Sequence, residues 1–470
     1  MTALYAIVIL LEVLQPRIEG PEPALQLVTE DPGLRLQLEL LLLVSWWVPF
    51  IAWIVTYTLG RIARSLAARR RWRAAGAWIA VSVLLAPHLV QTPAIVGGSG
   101  AWAVGCAVTT AVGLFLITRL QRFDRMSWWI LVCALGWGAL IATGFALGFS
   151  ALVNDFLPAY TFTGDVSIAG VDAWRHQAVV GQIITAGFGE ELAKGAGIVL
   201  VCGLFRHRLT GVVSGIVIGA SVGLGFNFSE SLLFLARAEG SADVFQFYGR
   251  QGVSLMAAHL AFSAVVGAGV GLSLQLRRRI DKLAAIGAGY LLASCCHFAT
   301  NVLLGYLSLS QGVWLPDNDA VYALVVIPVF FVVMHAPLVV LYLLMARSGL
   351  QSQAKGLAEQ LDKEAATGYG AITPTEVPVL LSPRRRFRRK LLELRGHGLK
   401  AYRRLDRLYA TQLRLGTYRW LVSRGDLRPT TTGAEVLRER AVQCKLSMLD
   451  EPTTGQPDTA GKFSMAGAAR

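Results

Sequence analysis

The chain has 470 residues, of which 54% are hydrophobic and only 16% are charged, and its formal net charge is +14. A mean hydropathy of +0.51 is typical of a polytopic membrane protein and argues against an ordinary water-soluble enzyme. The six cysteines include no Cys-x-x-Cys pair, so neither a disulfide framework nor a thiolate metal site is expected.

Apolar windows of about 20 residues predict an all-α, polytopic transmembrane bundle of roughly nine spans. Residues 1–37 precede this bundle. The sequence leaves two interpretations of them open, a short extra membrane helix or a wrongly assigned start of the chain. The transmembrane region as a whole covers residues 38–346. The expected spans lie near 38–60, 76–97, 101–118, 127–152, 179–204, 210–236, 251–276, 283–309 and 320–346.

The basic connections between these spans predict the orientation of the chain. Five connections rich in Lys and Arg fall on one face of the bundle, and the four poor ones fall on the other. By the positive-inside rule the basic face is cytoplasmic, which predicts a multi-pass cell-membrane protein with a cytoplasmic C-terminus. The basic set consists of 60–73, 119–125, 206–208, 277–282 and the tail from residue 347.

The C-terminal tail is expected to contain a linker at 347–383, a basic helical region at 384–449 and a disordered end at 450–470. Residues 384–428 hold 15 Lys and Arg against 3 Asp and Glu. Leucine and tyrosine recur there at helical spacing, so a basic amphipathic helix held against anionic lipids is favoured. A protein-partner site is the alternative, and nucleic acid is not expected.

Ionisable side chains inside membrane spans are rare and usually functional. Four consecutive expected spans carry such groups, in a motif core at 179–309. These residues are Glu190, Glu191 and Lys194 in the fifth span, Asn227 and Glu230 in the sixth, His259 in the seventh, and His297 and Asn301 in the eighth.

Helical spacing indicates that these polar groups converge. The sixth span carries glycines at 211, 215, 219 and 223, a small-residue stripe that permits close helix packing. Lys194 lies within one turn of Glu190 and Glu191, so it can neutralise one carboxylate. A rise of about 1.5 Å per residue places all the groups roughly 9 to 18 Å below the outer ends of their spans. One polar chamber open to the exterior is therefore expected.

Carboxylates and imidazoles in such a chamber suit a divalent metal, with zinc the first candidate. In this interpretation His259, His297 and Glu230 hold the metal, while Glu190 or Glu191 takes the proton of an attacking water. A metal-free, glutamate-based mechanism is also open. There is no His-Glu-x-x-His motif, and no Gly-x-Ser-x-Gly or Ser–Lys pattern supports serine chemistry.

Each group also has a purely structural interpretation. A single histidine in a membrane helix is more often hydrogen-bonded to a neighbouring residue than bound to a metal. Lys194 is better explained as a structural counter-ion than as a catalytic group. Two adjacent buried carboxylates with one lysine are harder to explain in this way, because they leave a net charge to stabilise.

The segments "EELAK", "GLGFNFSES" and "HFATN", with a histidine-bearing span before the last, resemble the PrsW family of membrane-embedded proteases. The resemblance covers residues 187–301 and assigns family motifs to Glu190, Glu191, Lys194, Glu230, His259, His297 and Asn301. Ser231 departs from the family pattern, in which an asparagine is expected. The resemblance implies cleavage of membrane proteins near the outer face, and in bacterial members the substrates include anti-sigma factors.

The sequence thus predicts an intramembrane endopeptidase that cleaves membrane-protein substrates, with Asn227 and Asn301 supporting its site. An ion- or proton-coupled transporter and an inactive membrane scaffold are the alternatives. The outer loop 153–178 either covers the chamber or is an ordinary connector.

Overall fold

The structure is a computed structural model that describes residues 99–146, 183–237, 241–309, 318–427 and 431–449, with residue 149 and part of the positions between 51 and 96. The N-terminal segment 1–37, the loop 153–178 and the end 450–470 lie outside the described residues.

Every regular element among the described residues is helical, as the all-α expectation requires, and no strand occurs in that part of the chain. The helices, in chain order, are α1 (Trp102–Thr118), α2 (Trp128–Gly136, continued by π-helical turns Trp137–Ala142), α3 (π-helical turns Ile183–Glu190, then Glu191–Leu204), α4 (Val212–Arg237), α5 (Ser241–Phe247, then π-helical turns Tyr248–Val253), α6 (His259–Ser273), α7 (Arg279–Leu309), α8 (Asp319–Val321, π-helical turns Tyr322–Val326, then Ile327–Ala365), α9 (Val377–Leu380), α10 (Pro383–Ser423) and α11 (Thr431–Leu449).

Four helices in the described part of the chain are long and apolar enough to cross a membrane. The stretches concerned are Trp128–Ala146, Val212–Ala236, Arg279–Gly305 and Asp319–Ala365, while α1 and α6 are shorter apolar helices. These helices agree with a membrane protein. The count of nine spans remains a prediction, because several expected spans fall on positions outside the described residues.

The seventh expected span, 251–276, is not one continuous helix. The π-helical turns end at Val253, and α6 begins only at His259. At Ala258 the backbone leaves the helical region, with φ −93° and ψ −110°. His259 therefore stands at the beginning of a helix inside the bundle, and its side chain is buried there.

Helices α4 and α6 pack backbone against backbone, as the glycine stripe predicts. A Cβ atom added at Gly219 would lie 2.0 Å from the carbonyl oxygen of Ser263, and one at Gly223 would lie 2.2 Å from that of His259. Side chains at these positions would push the helices apart. The close approach sets the start of α6 directly beside the polar end of α4.

Helix α7 approaches α6 in the same way on another side. A Cβ atom at Gly269 would lie 2.3 Å from the carbonyl oxygen of Ala285, and one at Gly289 would lie 2.9 Å from that of Val265. On α3, Gly195 faces Val266 of α6 at 3.7 Å by the same measure. Helix α6 is consequently a buried centre with α3, α4 and α7 around it, and each of these carries part of the polar motif.

The chain divides into two compact units, residues 1–352 and 353–470. In the second unit Glu364 is buried and is bonded by Arg419 and by Arg438, with 3.0 Å between Arg438 Nη2 and Glu364 Oε2. Within the expected linker 347–383, helix continues to Ala365, and α9 buries Val377, Val379 and Leu380. This stretch therefore contributes side chains to a folded core.

Helix α10 is bent sharply at Gly398, where φ is +77° and ψ is −171°. Only glycine adopts this backbone conformation readily. The bend turns the chain back on itself, since Lys390 Nζ lies 2.8 Å from Asp406 Oδ1 although 16 residues separate them. Helix α10 is thus two segments, 383–397 and 399–423.

Candidate active site

The two adjacent glutamates of α3 lie where its π-helical turns give way to regular α-helix, and one lysine binds both. Lys194 Nζ is 3.1 Å from Glu190 Oε2 and 2.9 Å from Glu191 Oε1. The Glu190 side chain is 17% exposed, whereas those of Glu191 and Lys194 are fully buried. Lys194 Nζ also lies 3.7 Å from the ring centroid of Phe226, a favourable cation–π contact.

Glu191 also binds His297 of α7. Its Oε1 atom is 2.9 Å from His297 Nδ1, so one carboxylate oxygen accepts from both the lysine and the imidazole. The other oxygen, Oε2, is buried and has no hydrogen-bond partner among the described residues. Such a buried carboxylate oxygen marks a place for water or a cation.

His259 is bound on both sides of its ring. Nδ1 lies 3.0 Å from Lys194 Nζ, and Nε2 lies 2.7 Å from Glu230 Oε2. The same oxygen of Glu230 accepts a hydrogen bond from Arg250 Nη1 at 2.8 Å. Arg250, in the π-helical turns before α6, thereby fixes Glu230, and Glu230 fixes the imidazole.

These contacts assign the protons of both rings. An ammonium group only donates, so Nδ1 of His259 accepts from Lys194, and Nε2–H donates to Glu230. His297 donates from Nδ1 to Glu191, which leaves its Nε2 as an acceptor 3.8 Å from Glu190 Oε2. The Glu191–His297 pair therefore presents the Nε2 lone pair of His297 toward the site. The lone pair of His259 is on Nδ1 and is already bound by Lys194, so a ligand of His259 would have to displace the ammonium group.

One group in the described part of the chain could hold a metal ion, and it consists of Glu190, His259 and His297. A ligand atom from each of the three lies within 4.8 Å of the others. Two imidazoles and one carboxylate are a common donor set for zinc, and the carboxylate partners of the imidazoles are the usual outer support. The residues present fit a divalent cation. Glu230, expected among the ligands, is outside this group, and its carboxylate contacts Nε2 of His259.

The charge balance of the cluster also suits a cation. Three carboxylates, Glu190, Glu191 and Glu230, face two cationic side chains, Lys194 and Arg250. With neutral imidazoles, the cluster carries a net negative charge, which is costly to bury without a further positive partner.

The asparagines and Ser231 lie at the edge of this cluster. Asn227 is buried, and its Nδ2 is 3.5 Å from the carbonyl oxygen of Arg250. Asn301 is half-buried one turn beyond His297 on α7. Ser231 Oγ accepts a hydrogen bond from Gln251 Nε2 at 2.7 Å, so the residue that departs from the family pattern ties α4 to the turns before α6.

Two residues near the site were not singled out from the sequence. Arg250 lies just before the seventh expected span, in a connection read as poor in basic residues. His335 is a histidine within an apolar run of α8, the same signal that identified His259. Its Nε2 lies 3.2 Å from Thr300 Oγ1, and its ring centroid is 5.5 Å from that of Phe262, which stacks on His297.

A helical membrane protein with buried carboxylates and imidazoles gathered from α3, α4, α6 and α7 has the groups of a membrane-embedded hydrolase. A sequence model described as PrsW family intramembrane metalloprotease matches residues 126–333. Residues 126–333 are therefore similar to the PrsW family, and the resemblance seen in the motifs is confirmed. No curated protein and no solved structure matches the chain.

Proposed function

We propose that the protein is an intramembrane endopeptidase that hydrolyses a peptide bond of a membrane-protein substrate at the Glu190–His259–His297 cluster. One observation carries this proposal, the approach of ligand atoms from three separate helices to within 4.8 Å of one another. The family match to residues 126–333 supports the same class of enzyme.

Glu190 is the group assigned to accept the proton of the attacking water. It is the partly exposed member of the glutamate pair, so water and substrate can reach it. Glu191 Oε1 is already stabilised as a carboxylate by two donors, Lys194 and His297, which makes it the weaker base. Glu190 has a hydrogen bond from Lys194 alone among those described for it.

A divalent cation would be held by His297 and, once Lys194 is displaced from its Nδ1, by His259, with Glu190 beside it as the base. When bound, such an ion lowers the pKa of water and polarises a peptide carbonyl. The chain itself supplies the positioning: Glu191 orients His297, Glu230 orients His259, and Lys194 holds the carboxylates and Nδ1 of His259 in one place.

In the hydrolytic step, the water oxygen bonds to the peptide carbonyl carbon and its proton passes to Glu190. The carbon–nitrogen bond then breaks, and Glu190 returns the proton to the leaving amine. Atoms and electrons balance without a further reagent. The proposal places the cut near the exterior face of the membrane, and an anti-sigma-factor-like membrane protein is a candidate substrate.

The test is cleavage in proteoliposomes of a single-span membrane protein tagged at both ends. Wild-type protein should yield two tagged fragments, whereas Glu190→Gln and His297→Ala should reduce the rate at least about a hundredfold, the usual effect of losing a catalytic acid–base group. His207→Ala is the matched control, because His207 is exposed and lies outside the cluster, in the short 3-10 helix Arg206–Arg208 between α3 and α4.

Metal content separates the roles of the residues. Bound zinc, measured by elemental analysis, should fall in His259→Ala and His297→Ala and stay at the wild-type level in His207→Ala. Unchanged fragment yield in both Glu190→Gln and His297→Ala would contradict the protease mechanism. Absence of fragments together with proton transport by the wild type would favour the transporter.

A further inference from the structure

The first segment of α10, residues 383–397, displays apolar side chains that no described residue of its own unit covers. Phe387 is 60% exposed and Leu392 is 65% exposed. Leu394 is also exposed, and so is Leu399 just beyond the bend at Gly398. Large exposed apolar side chains clustered on one helix mark an interaction site.

The second segment of α10 behaves in the opposite way. Leu405, Leu408, Tyr409 and Leu413 are all buried in the core of the unit. One helix thus has a segment that builds the core and a segment whose leucines and phenylalanine stay outside it. The exposed set is therefore available for a partner.

Basic side chains surround the exposed apolar ones. Residues 384–400 contain eight Lys and Arg and a single acidic residue, Glu393. Arg386 is buried and bonds the carbonyl oxygen of Leu380 at 2.6 Å, which anchors the segment to α9. The exposed basic residues are Arg384, Arg385, Arg388, Arg389, Arg395 and Lys400.

Charged and apolar groups alternate along one stripe of the segment. Arg388, Leu392 and Arg395 follow each other at spacings of four and three, so they lie on one helix face. The other side of the segment carries Lys390, whose ammonium group pairs with Asp406 of the second segment. We call residues 383–400 the basic–apolar face.

We propose that the basic–apolar face binds anionic lipid head groups of the membrane that the chain spans. Guanidinium groups pair with lipid phosphates, while leucine and phenylalanine side chains enter the boundary between head groups and acyl chains. A nucleic-acid surface would instead interleave its basic residues with groups that stack on bases. Three of the four exposed apolar side chains are leucines, which do not serve that purpose, and Phe387 alone could stack.

The covalent connection favours this partner. The last expected span ends near residue 346, and the second unit begins at residue 353. The basic–apolar face begins at residue 383 of the same chain, and covalent attachment to a membrane-spanning region raises its effective concentration at the lipid surface, so a weak individual affinity can suffice.

The experiment is hydrogen–deuterium exchange on the full-length protein in lipid nanodiscs, each holding one copy. Amides of residues 384–397 should exchange more slowly in discs with about one-third phosphatidylserine than in phosphatidylcholine discs. Each basic residue near an anionic surface strengthens binding by about fivefold, so we expect a slowing of about tenfold or more. Raising the salt concentration to about 1 M should remove the difference, because it shortens the screening length to about 3 Å.

Variants test whether the face or only the net charge is responsible. Arg388→Glu with Arg395→Glu should abolish the phosphatidylserine effect. The control, Arg403→Glu with Arg407→Glu, makes the same charge change at exposed arginines of the second segment and should leave most of the effect. Leu392→Gln should weaken protection without changing charge.

Three outcomes would overturn the proposal. The first is equal exchange in the two kinds of disc, and the second is equal loss in the two charge-reversal pairs. The third is protection that appears only when discs hold two copies or when RNA is added, which would assign the face to another partner. The proposal does not depend on proteolysis, so a failure of the enzymatic mechanism would leave it intact.

Discussion

Replacing Lys194 with methionine should destabilise the protein strongly unless a divalent cation compensates for the lost charge. The ammonium group donates to Glu190, Glu191 and His259 at 2.9 to 3.1 Å, and the side chain is fully buried. Methionine has a similar length and an apolar end. The substitution therefore removes the charge while nearly preserving the packing.

The magnitude follows from the geometry. Opposite charges about 3 Å apart attract by about 5 kcal/mol at an effective dielectric constant of about 20. Much of this gross attraction offsets the cost of taking the charges out of water. Removing one partner of a buried pair leaves the other charge uncompensated, and this typically costs about 3–5 kcal/mol. We expect a loss of that size for Lys194→Met.

A closely matched control exists in the chain. Lys363 pairs with Glu359 four residues away, as Lys194 pairs with Glu190, but both of these side chains are more than half exposed. Exposed pairs of this kind contribute about 0–1 kcal/mol. Lys363→Met should therefore leave the free energy of unfolding nearly unchanged.

The assay is unfolding in mixed micelles by a denaturing detergent, followed by circular dichroism, with and without zinc. Zinc should restore more stability to Lys194→Met than to the wild type, because the freed carboxylates and Nδ1 of His259 then have a cation again. Equal destabilisation by Lys194→Met and Lys363→Met would refute the reasoning. So would a loss in Lys194→Met that zinc does not reduce.

Two further predictions concern the packing and the support of the site. Gly219→Ala should separate α4 from α6, which should cost about 1–3 kcal/mol of stability and lower activity. Gly287→Ala, at a position with open space, should change neither stability nor activity. Thermal unfolding and cleavage assays on both variants check this, and equal losses would contradict the packing argument. Arg250→Met should lower activity about 10- to 100-fold, since it frees Glu230 and with it the ring of His259, and Arg250→Lys should recover part of the loss. Full activity of Arg250→Met in the cleavage assay would show that the arginine does not support the imidazole.

The glycine stripe and the polar motif could be read directly from the sequence. A four-residue repeat of glycine specifies one face of a helix, whatever surrounds it, and the structure packs that face against α6. Charged groups inside apolar runs are expensive to leave in lipid, so their convergence could be expected from the amino-acid sequence alone. The resemblance to PrsW proteases followed from the same residues.

The roles within the cluster could not be read in this way. A regular helical repeat places Glu190 and Glu191 about 100° apart, but it does not say which one faces the histidines. The π-helical turns that end at Glu190 change the rotation of α3, and the break before His259 resets that of α6. Neither irregularity has a proline or another clear signal in the sequence.

The amino-acid sequence by itself determined the class of protein, the helices that carry polar groups and the chemistry those groups can perform, because hydropathy and side-chain type act locally. Only the tertiary structure decided that Glu190 joins the two histidines, that Glu230 lies behind His259, and that Arg250 holds Glu230. Such partnerships depend on how neighbouring helices are rotated and on where their backbones are interrupted. Those quantities are fixed by packing between distant parts of the chain.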